Sequence, residues 1–158
     1  MFRPVRRKSK EISADETKKL LKTERRGVLA VNGEDGYPYA IPVNYLYCED
    51  ENTIIFHGAR VGYKAEMIEK NDKVCFTVYG NVTIKDEEWA PYVQSAVVFG
   101  RCRAVDDYTR TIELVRKFAD KYYPDKDIME NEIAESGKAV RMFEIEIEHI
   151  SGKEIQER

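Results

Sequence analysis

The octapeptide His57-Gly58-Ala59-Arg60-Val61-Gly62-Tyr63-Lys64 has the residue types and spacing best suited to chemistry. It joins the end of an apolar strand pattern to the start of a helical one. Its two glycines let the backbone turn tightly and approach a ligand. The free N–H groups at a helix N-terminus, together with the positive end of its dipole, favour an anion. Arg60 and Lys64 add two cations, and Lys64 falls one turn into the helix, where it could reach back to a phosphate. The logic is that of a phosphate-binding loop, without the GxxxxGK[ST] pattern. A glycine-rich turn carrying two solvated bases would have the same spacing. His57 is a candidate catalyst or substrate-positioning group because imidazole titrates near neutral pH. A histidine that closes an apolar strand can equally be a hydrogen-bonded structural group.

A second candidate is Pro42-Val43-Asn44-Tyr45. Proline removes a ladder donor. Backbone groups beside Pro42 could therefore serve the edge of a planar heterocycle, with Asn44 adding an amide. The alternative is a bulge at a barrel corner, with Tyr45 and Tyr47 as ordinary strand aromatics. Ser95 opens another apolar run and offers a hydroxyl to a ligand or to local backbone. Trp89, the only tryptophan, lies on an irregular connection. Such a loop aromatic either covers a pocket or interface or anchors its loop.

Several strong motifs are absent. There is no GxGxxG, HExxH or GxSxG. With two histidines in the chain, a histidine-rich metal site is not expected. Cys48, Cys75 and Cys102 are evenly spaced, but no CxxC or CxxH accompanies them, so no metal site is expected. Their odd number and apolar surroundings point to reduced, mostly buried thiols.

The elements that must position these groups follow from the pattern. Ser13 and Glu16 form a capping box for a helix from Ala14 to about Lys22. Strands are expected at Gly27–Asn32, Tyr37–Cys48, Thr53–His57, Lys73–Ile84, Gln94–Val105 and Val140–Ile150. A bulge or unpaired step is expected at Pro42 and a bend at Gly80. A short helix should precede Asn71. Ile112, Val115, Phe118 and Ala119 recur at helical spacing between Asp107 and Tyr123, and Pro124 stops that helix. Asp127–Glu135 suits a further short helix, with Gly137 as its C-terminal signal. Short strand connections favour an antiparallel sheet or barrel over a doubly wound parallel sheet.

The 158 residues suit one domain. Residues 1–12 form a basic arm, 13–154 the domain and 155–158 a tail. A hydrophobic content of 42% is enough for a core, which excludes global disorder. No apolar run reaches the ~20 residues of a membrane-spanning helix. The N-terminus has no apolar signal region, so a cytoplasmic location is expected. A formal net charge of -3 argues against bulk nucleic-acid binding. The charge is uneven: residues 1–26 hold ten bases and four acids, while residues 125–158 hold five bases and ten acids. Such runs usually mark solvated surface, although the arm could also contact the acidic tail or attract an anion.

The order of segments carries a resemblance. GVLAVNGEDGYPYAIPVNY is followed by IIFHGARVGYK, then WAPYVQSAVVFGRCRAVDD and a closing FEIEIEHISGK. The chain resembles the pyridoxamine 5′-phosphate oxidase-like flavin-binding split barrels, and within them the nitroimidazole-resistance (Nim) branch. The resemblance implies a mainly β (α+β) fold: a six-stranded antiparallel split β-barrel of Greek-key type with peripheral helices. It also implies a homodimer with flavin, usually FMN and possibly FAD, at the subunit interface. Carried over by position, Pro42, Val43, Asn44 and Tyr45 would run along the isoalloxazine edge. His57 and Ala59, with Gly58 between them, would lie beside the ring and ribityl chain. Lys64 would hold the phosphate, and Ser95 would contact the ring. His57 would stand on the substrate side. The oxidases proper carry an Arg-Lys pair where this chain has Tyr63-Lys64, and they end in a tryptophan-bearing segment that is missing here. Activity on pyridoxamine 5′-phosphate is therefore not expected. The implied function is FMN-dependent reduction of a small acceptor such as a nitroaromatic. The alternative is a non-enzymatic flavin- or haem-binding protein of the same fold.

Overall fold

The stretch from Tyr37 to Cys48, expected to be one strand, is two strands that meet at Tyr45. In the computed structural model, which describes residues 1–123 and 125–158, seven strands form one sheet. They are β1 (Arg26–Asn32), β2 (Pro38–Asn44), β3 (Leu46–Cys48), β4 (Thr53–Gly58), β5 (Lys73–Thr83), β6 (Tyr92–Ala104) and β7 (Arg141–Gln156). The helices are α1 (Ala14–Thr23), α2 (Tyr63–Lys70), α3 (Tyr108–Tyr122) and α4 (Lys126–Ser136). The expected stop at Pro124 lies outside the described residues.

The strand order is β2-β1-β5-β6-β7-β4-β3, and every pairing is antiparallel. The sheet's two edge strands, β2 and β3, are separated in the chain by Tyr45 alone. One residue spans only a few ångströms. The sheet must therefore curl until its ends nearly meet, which makes it a split barrel. β1–β5 and β4–β7 pair strands distant in sequence, so the topology is more than a meander.

Two further expectations are corrected. Pro42 causes no bulge: β2 pairs with β1 in unbroken register, Val28 opposite Pro42. An edge strand tolerates proline because the missing donor can face the open side. The last strand runs past Ile150 to Gln156. Its alternation breaks at Glu148, which is skipped by a register shift between the Gly100–Ile147 and Phe99–His149 pairs, and at Gly152 a Cβ would collide with Thr17 and Ile12 of the α1 region. Glycine there admits α1 against the sheet. The expected bend at Gly80 is present as a register shift between Gly80 and Thr83.

The barrel interior is filled by Leu29, Val31, Phe56, Phe76, Val98, Phe143 and Ile145, with Leu20 and Leu21 of α1 closing one side. Burying each large apolar side chain is worth about 1.5–3 kcal/mol. The capping box is formed: Glu16 N–H donates to Ser13 Oγ (3.2 Å), and Ser13 N–H donates to Glu16 Oε2 (3.0 Å). Outside the barrel a second cluster of Ile55, Leu114, Phe118 and Met142 seats α3 on β4 and β7.

Candidate functional site

A cleft of about 310 Å³ opens between β2 and the turn from β4 into α2. Tyr39, Ile41, Pro42 and Val43 form one wall, and Ala59, Val61, Gly62, Tyr63, Lys64 and Ala65 the other. The alternation of β2 turns Tyr39, Ile41 and Val43 toward the core. The Tyr63 ring meets Tyr39 edge-on at 4.9 Å, and its hydroxyl accepts from Glu34 N–H at 2.7 Å. These contacts fasten α2 to the β1–β2 turn. Gly62, at φ 128°, takes a backbone conformation that an L side chain rarely adopts. It precedes α2 with no side-chain cap, and Glu66 N–H is bonded back to its carbonyl. The N–H groups of Tyr63, Lys64 and Ala65 belong to the first turn, which has no intrahelical acceptors.

Lys64 bends inward over two stacked rings. Its Nζ lies 5.2 Å from the Phe56 centroid and 5.6 Å from that of Phe143. A Cβ at residue 58 would fall 2.7 Å from this nitrogen, so Gly58 keeps its place open. The ammonium is half-buried, and burial pushes its pKa down. Among the described residues its contacts are these two rings, and no carboxylate or hydrogen-bond acceptor pairs with it. A desolvated cation without a partner, at an uncapped helix start, fits an anionic group well.

Arg60 takes another role. Its guanidinium donates twice to the Lys138 carbonyl, at 2.9 and 3.1 Å, tying the turn to the segment after α4. Of the two cations in the octapeptide, Lys64 alone lines the cleft.

The structure therefore brings together Pro42, Val43, Ala59 and Lys64, with Gly58 beneath the lysine. Tyr45 stands apart. It is fully buried, its hydroxyl donates to the Leu21 carbonyl at 2.8 Å, and its own N–H donates to the Tyr122 hydroxyl at 3.0 Å. Its carbonyl accepts from Tyr122 (2.6 Å) and from Lys121 (3.2 Å). Both backbone groups are thus engaged. Asn44 ends β2 opposite Arg26.

His57 faces the other side of β4. Strand alternation turns Ile54 and Phe56 into the barrel and Ile55 outward to α3, and His57 shares the parity of Ile55. Its ring meets Phe118 of α3 edge-on at 5.1 Å. The ring keeps an exposed side, and partial burial, with the Lys64 charge second, pushes its pKa down.

Ser95 is on β6, three strands from β2. At about 4.8 Å per strand this is about 14 Å across one chain. It lies on the outer barrel face, in the row Tyr79–Ser95–Lys153. Below it run Thr77–Val97–Ser151 and Cys75–Phe99–His149, continued by Val28 and Ala30 of β1 and by Pro42 and Ala40 of β2. This face is largely apolar, and Val28 (36%), Phe99 (37%) and Tyr79 (69%) are exposed on it. The basic arm is not wholly solvated: Phe2 stacks on Phe99 and His149, and Glu11 bridges to Lys153. Trp89 is 82% exposed, away from the cleft. The cysteines are free, with Cys102 buried and the other two half-buried. No metal-binding cluster occurs among the described residues, and no helix is long and apolar enough to cross a membrane.

Tyr39 and Ile41 lie outside the segments singled out from sequence, and Tyr63 stood in the octapeptide with no role of its own. The period-2 pattern of Tyr39-Ile41-Val43 was the available signal.

Comparison with known proteins places these features in a family. A family model described as pyridoxamine 5′-phosphate oxidase matches residues 13–154. Comparison with curated protein sequences gives no significant match. Among solved structures, a protein of Bacteroides thetaiotaomicron assigned to 5-nitroimidazole antibiotic resistance superposes with a TM-score of 0.78 at 18% identity, covering 92% of this chain and 87% of that one. A FAD-binding protein of Mesorhizobium loti gives a TM-score of 0.65 at 25% identity, covering 92% and 96%. A FAD- and haem-binding protein of Mycobacterium smegmatis gives 0.72 at 18% identity, covering 94% and 74%.

Proposed function

We propose that this chain, which belongs to the pyridoxamine 5′-phosphate oxidase family, binds a flavin, FMN foremost, in the β2–α2 cleft of a homodimer and reduces a small acceptor such as a nitroaromatic. The observation that carries the reading is the half-buried Lys64 ammonium, unpaired among the described residues, beside an uncapped helix start. The cleft volume lies within the range of small-molecule sites. Its open end would also admit the longer diphosphate of FAD.

Each residue has a part in holding such a cofactor. Lys64 and the first-turn N–H groups of α2 take the phosphate by charge-assisted hydrogen bonds. Gly58 and Gly62 keep side chains out of the way. Pro42 and Val43 offer an edge-strand backbone to the ring. Ile41 and Tyr39 exclude water from its apolar side. The bound flavin supplies two-electron transfer.

The dimer is part of the proposal. Ser95 and the cleft are about 14 Å apart within one chain, and a second copy packed on the outer face would bring its own Ser95 toward the cleft. The apolar rows around Phe99 and Val97 suit such packing.

The test begins with colour. Purified protein should show a flavin band near ~450 nm. A Soret band, or colourless protein that rejects added FMN, would overturn the reading. Bleaching by NADH or NADPH followed by reoxidation with a nitroimidazole separates a reductase from a passive binder.

A further inference from the structure

The β2–α2 cleft is short of hydrogen-bond donors. Lys64 is the only charged side chain in its lining, and the other polar side-chain atoms there are the hydroxyls of Tyr39 and Tyr63. The Tyr63 hydroxyl is engaged at Glu34. Pro42, on the facing wall, has no N–H to offer. A flavin ring asks for donors: its pyrimidine edge holds two carbonyl oxygens and a single N–H, and reduction adds negative charge to it. With Lys64 given to the phosphate, one chain leaves that edge without a cation.

The missing groups stand together elsewhere on the outer face. Tyr79, Ser95 and Lys153 form one cross-strand row over β5, β6 and β7. A phenol, a hydroxyl and an ammonium thus follow one another at about 4.8 Å per strand. The Lys153 backbone is fixed on both sides, paired with Ser95 on one and bridged to Glu11 on the other. Beside it, Ile12 N–H donates to the Gly152 carbonyl at 3.2 Å. The acids around Lys153 are engaged elsewhere. Glu11 pairs with Lys8 at 2.8 Å, Glu154 with Lys85 at 3.0 Å and Glu148 with Arg101 at 3.0 Å.

The row and the cleft do not meet within one chain. β7 is four strands from β2, about 19 Å along the sheet. A two-fold axis brings them together. β5 is the middle one of the five strands, β2-β1-β5-β6-β7, that carry the outer face. Two copies packed by this face about an axis along β5 make an isologous contact. The strand order is then reversed between them, so β6 and β7 of one copy lie over β1 and β2 of the other.

We propose that Lys153 completes the flavin site of the opposite copy: its ammonium, with Ser95 beside it, lies against the pyrimidine edge of the ring held in that copy's cleft. Lys153 is a positioning residue that sets how readily the ring is reduced, because a fixed positive charge there favours the reduced, more negative form. The proposal rests on the flavin and dimer reading and adds to it which side chain crosses between copies, and for what.

The test is the reduction equilibrium of bound FMN against a reference dye. Lys153→Met should shift it at least tenfold toward the oxidised form, about 30 mV for two electrons. Lys153→Arg keeps the charge and should restore most of the shift. A heterodimer of one Lys64→Met copy and one Lys153→Met copy, isolated with two different tags, then reads the crossing. Its flavin occupies the cleft of the Lys153→Met copy, which keeps Lys64. If Lys153 acts across the dimer, that flavin has the wild-type potential, because the other copy supplies the lysine. If Lys153 acts within its own chain, the flavin has the shifted potential of the Lys153→Met homodimer. An unshifted homodimer, or a shifted heterodimer, would overturn this proposal and leave the flavin reading standing. Wild-type protein that binds no FMN would overturn both.

Discussion

The Tyr122 hydroxyl lies 2.6 Å from the Tyr45 carbonyl oxygen and 3.0 Å from the Tyr45 nitrogen, so one phenol of α3 holds both backbone groups of the residue that joins the sheet's two edges. It also touches the Arg25 carbonyl, and its single proton is shared between the two carbonyls. Tyr122→Phe removes an acceptor and a donor at the barrel split. Half-buried groups left unpaired cost about 1–3 kcal/mol. The urea midpoint should fall accordingly, and amide exchange should quicken at Tyr45 and Leu46 before the rest of the sheet. A uniform change across the sheet would show that the clamp is not local.

This junction was illegible in the sequence because YPYAIPVNYLYC is uniformly strand-like. Nothing local marks where a chain leaves one edge and joins the other. The closure is a property of the register of all seven strands. The capping box was legible because its signal spans four residues. His57 fell between these cases. Ile54, Ile55 and Phe56 are all fully buried, one face in the barrel and the other under α3. With apolar residues at both parities, alternation could not say which face was the interior, so His57 could not be assigned a side. The loop around Lys64 was legible because glycine and lysine at a strand–helix turn have a local meaning.

Lys64 should show opposite effects on stability and binding. Burial without a partner destabilises its charged form. Lys64→Met should therefore raise the melting temperature of flavin-free protein. The same change should weaken FMN by tenfold or more, because charge-assisted phosphate contacts are lost. Lys64→Arg should keep part of the affinity. Thermal shift with and without FMN reads both effects, and unchanged FMN affinity in Lys64→Met would place the phosphate elsewhere.

The outer face should control association. Val97→Glu puts a charge in the middle of the row Val28–Thr77–Val97–Ser151. The side chain points away from the core, so the monomer fold should survive by circular dichroism. Sedimentation should show monomer in place of dimer, and bound flavin should be released in step. Ser95→Ala should weaken flavin without dissociating the dimer. Dimeric Val97→Glu with flavin retained would move the interface off this face.

Lys121 gives a pH prediction whose sign follows from its surroundings. Burial, and next Arg25, push its pKa down to about 8. Its nitrogen contacts the carbonyls of Glu24 and Tyr45, which the neutral amine can still reach. The unfolded side chain titrates near 10.4. Between about pH 8 and about 10.4 the unfolded chain holds a proton that the folded chain has shed, so this residue contributes stability that rises with pH in that window. The three thiols, raised by burial, act oppositely above about pH 8.5, and Tyr45 and Tyr122, also raised, do so above about pH 10. The readout is therefore the difference in urea stability between wild type and Lys121→Met at pH 7.5, 9 and 10. That difference should shift in favour of wild type as pH rises, because methionine has no proton to shed. A difference that stays flat would mean that Lys121 keeps its charge throughout, with its two carbonyl acceptors offsetting the burial.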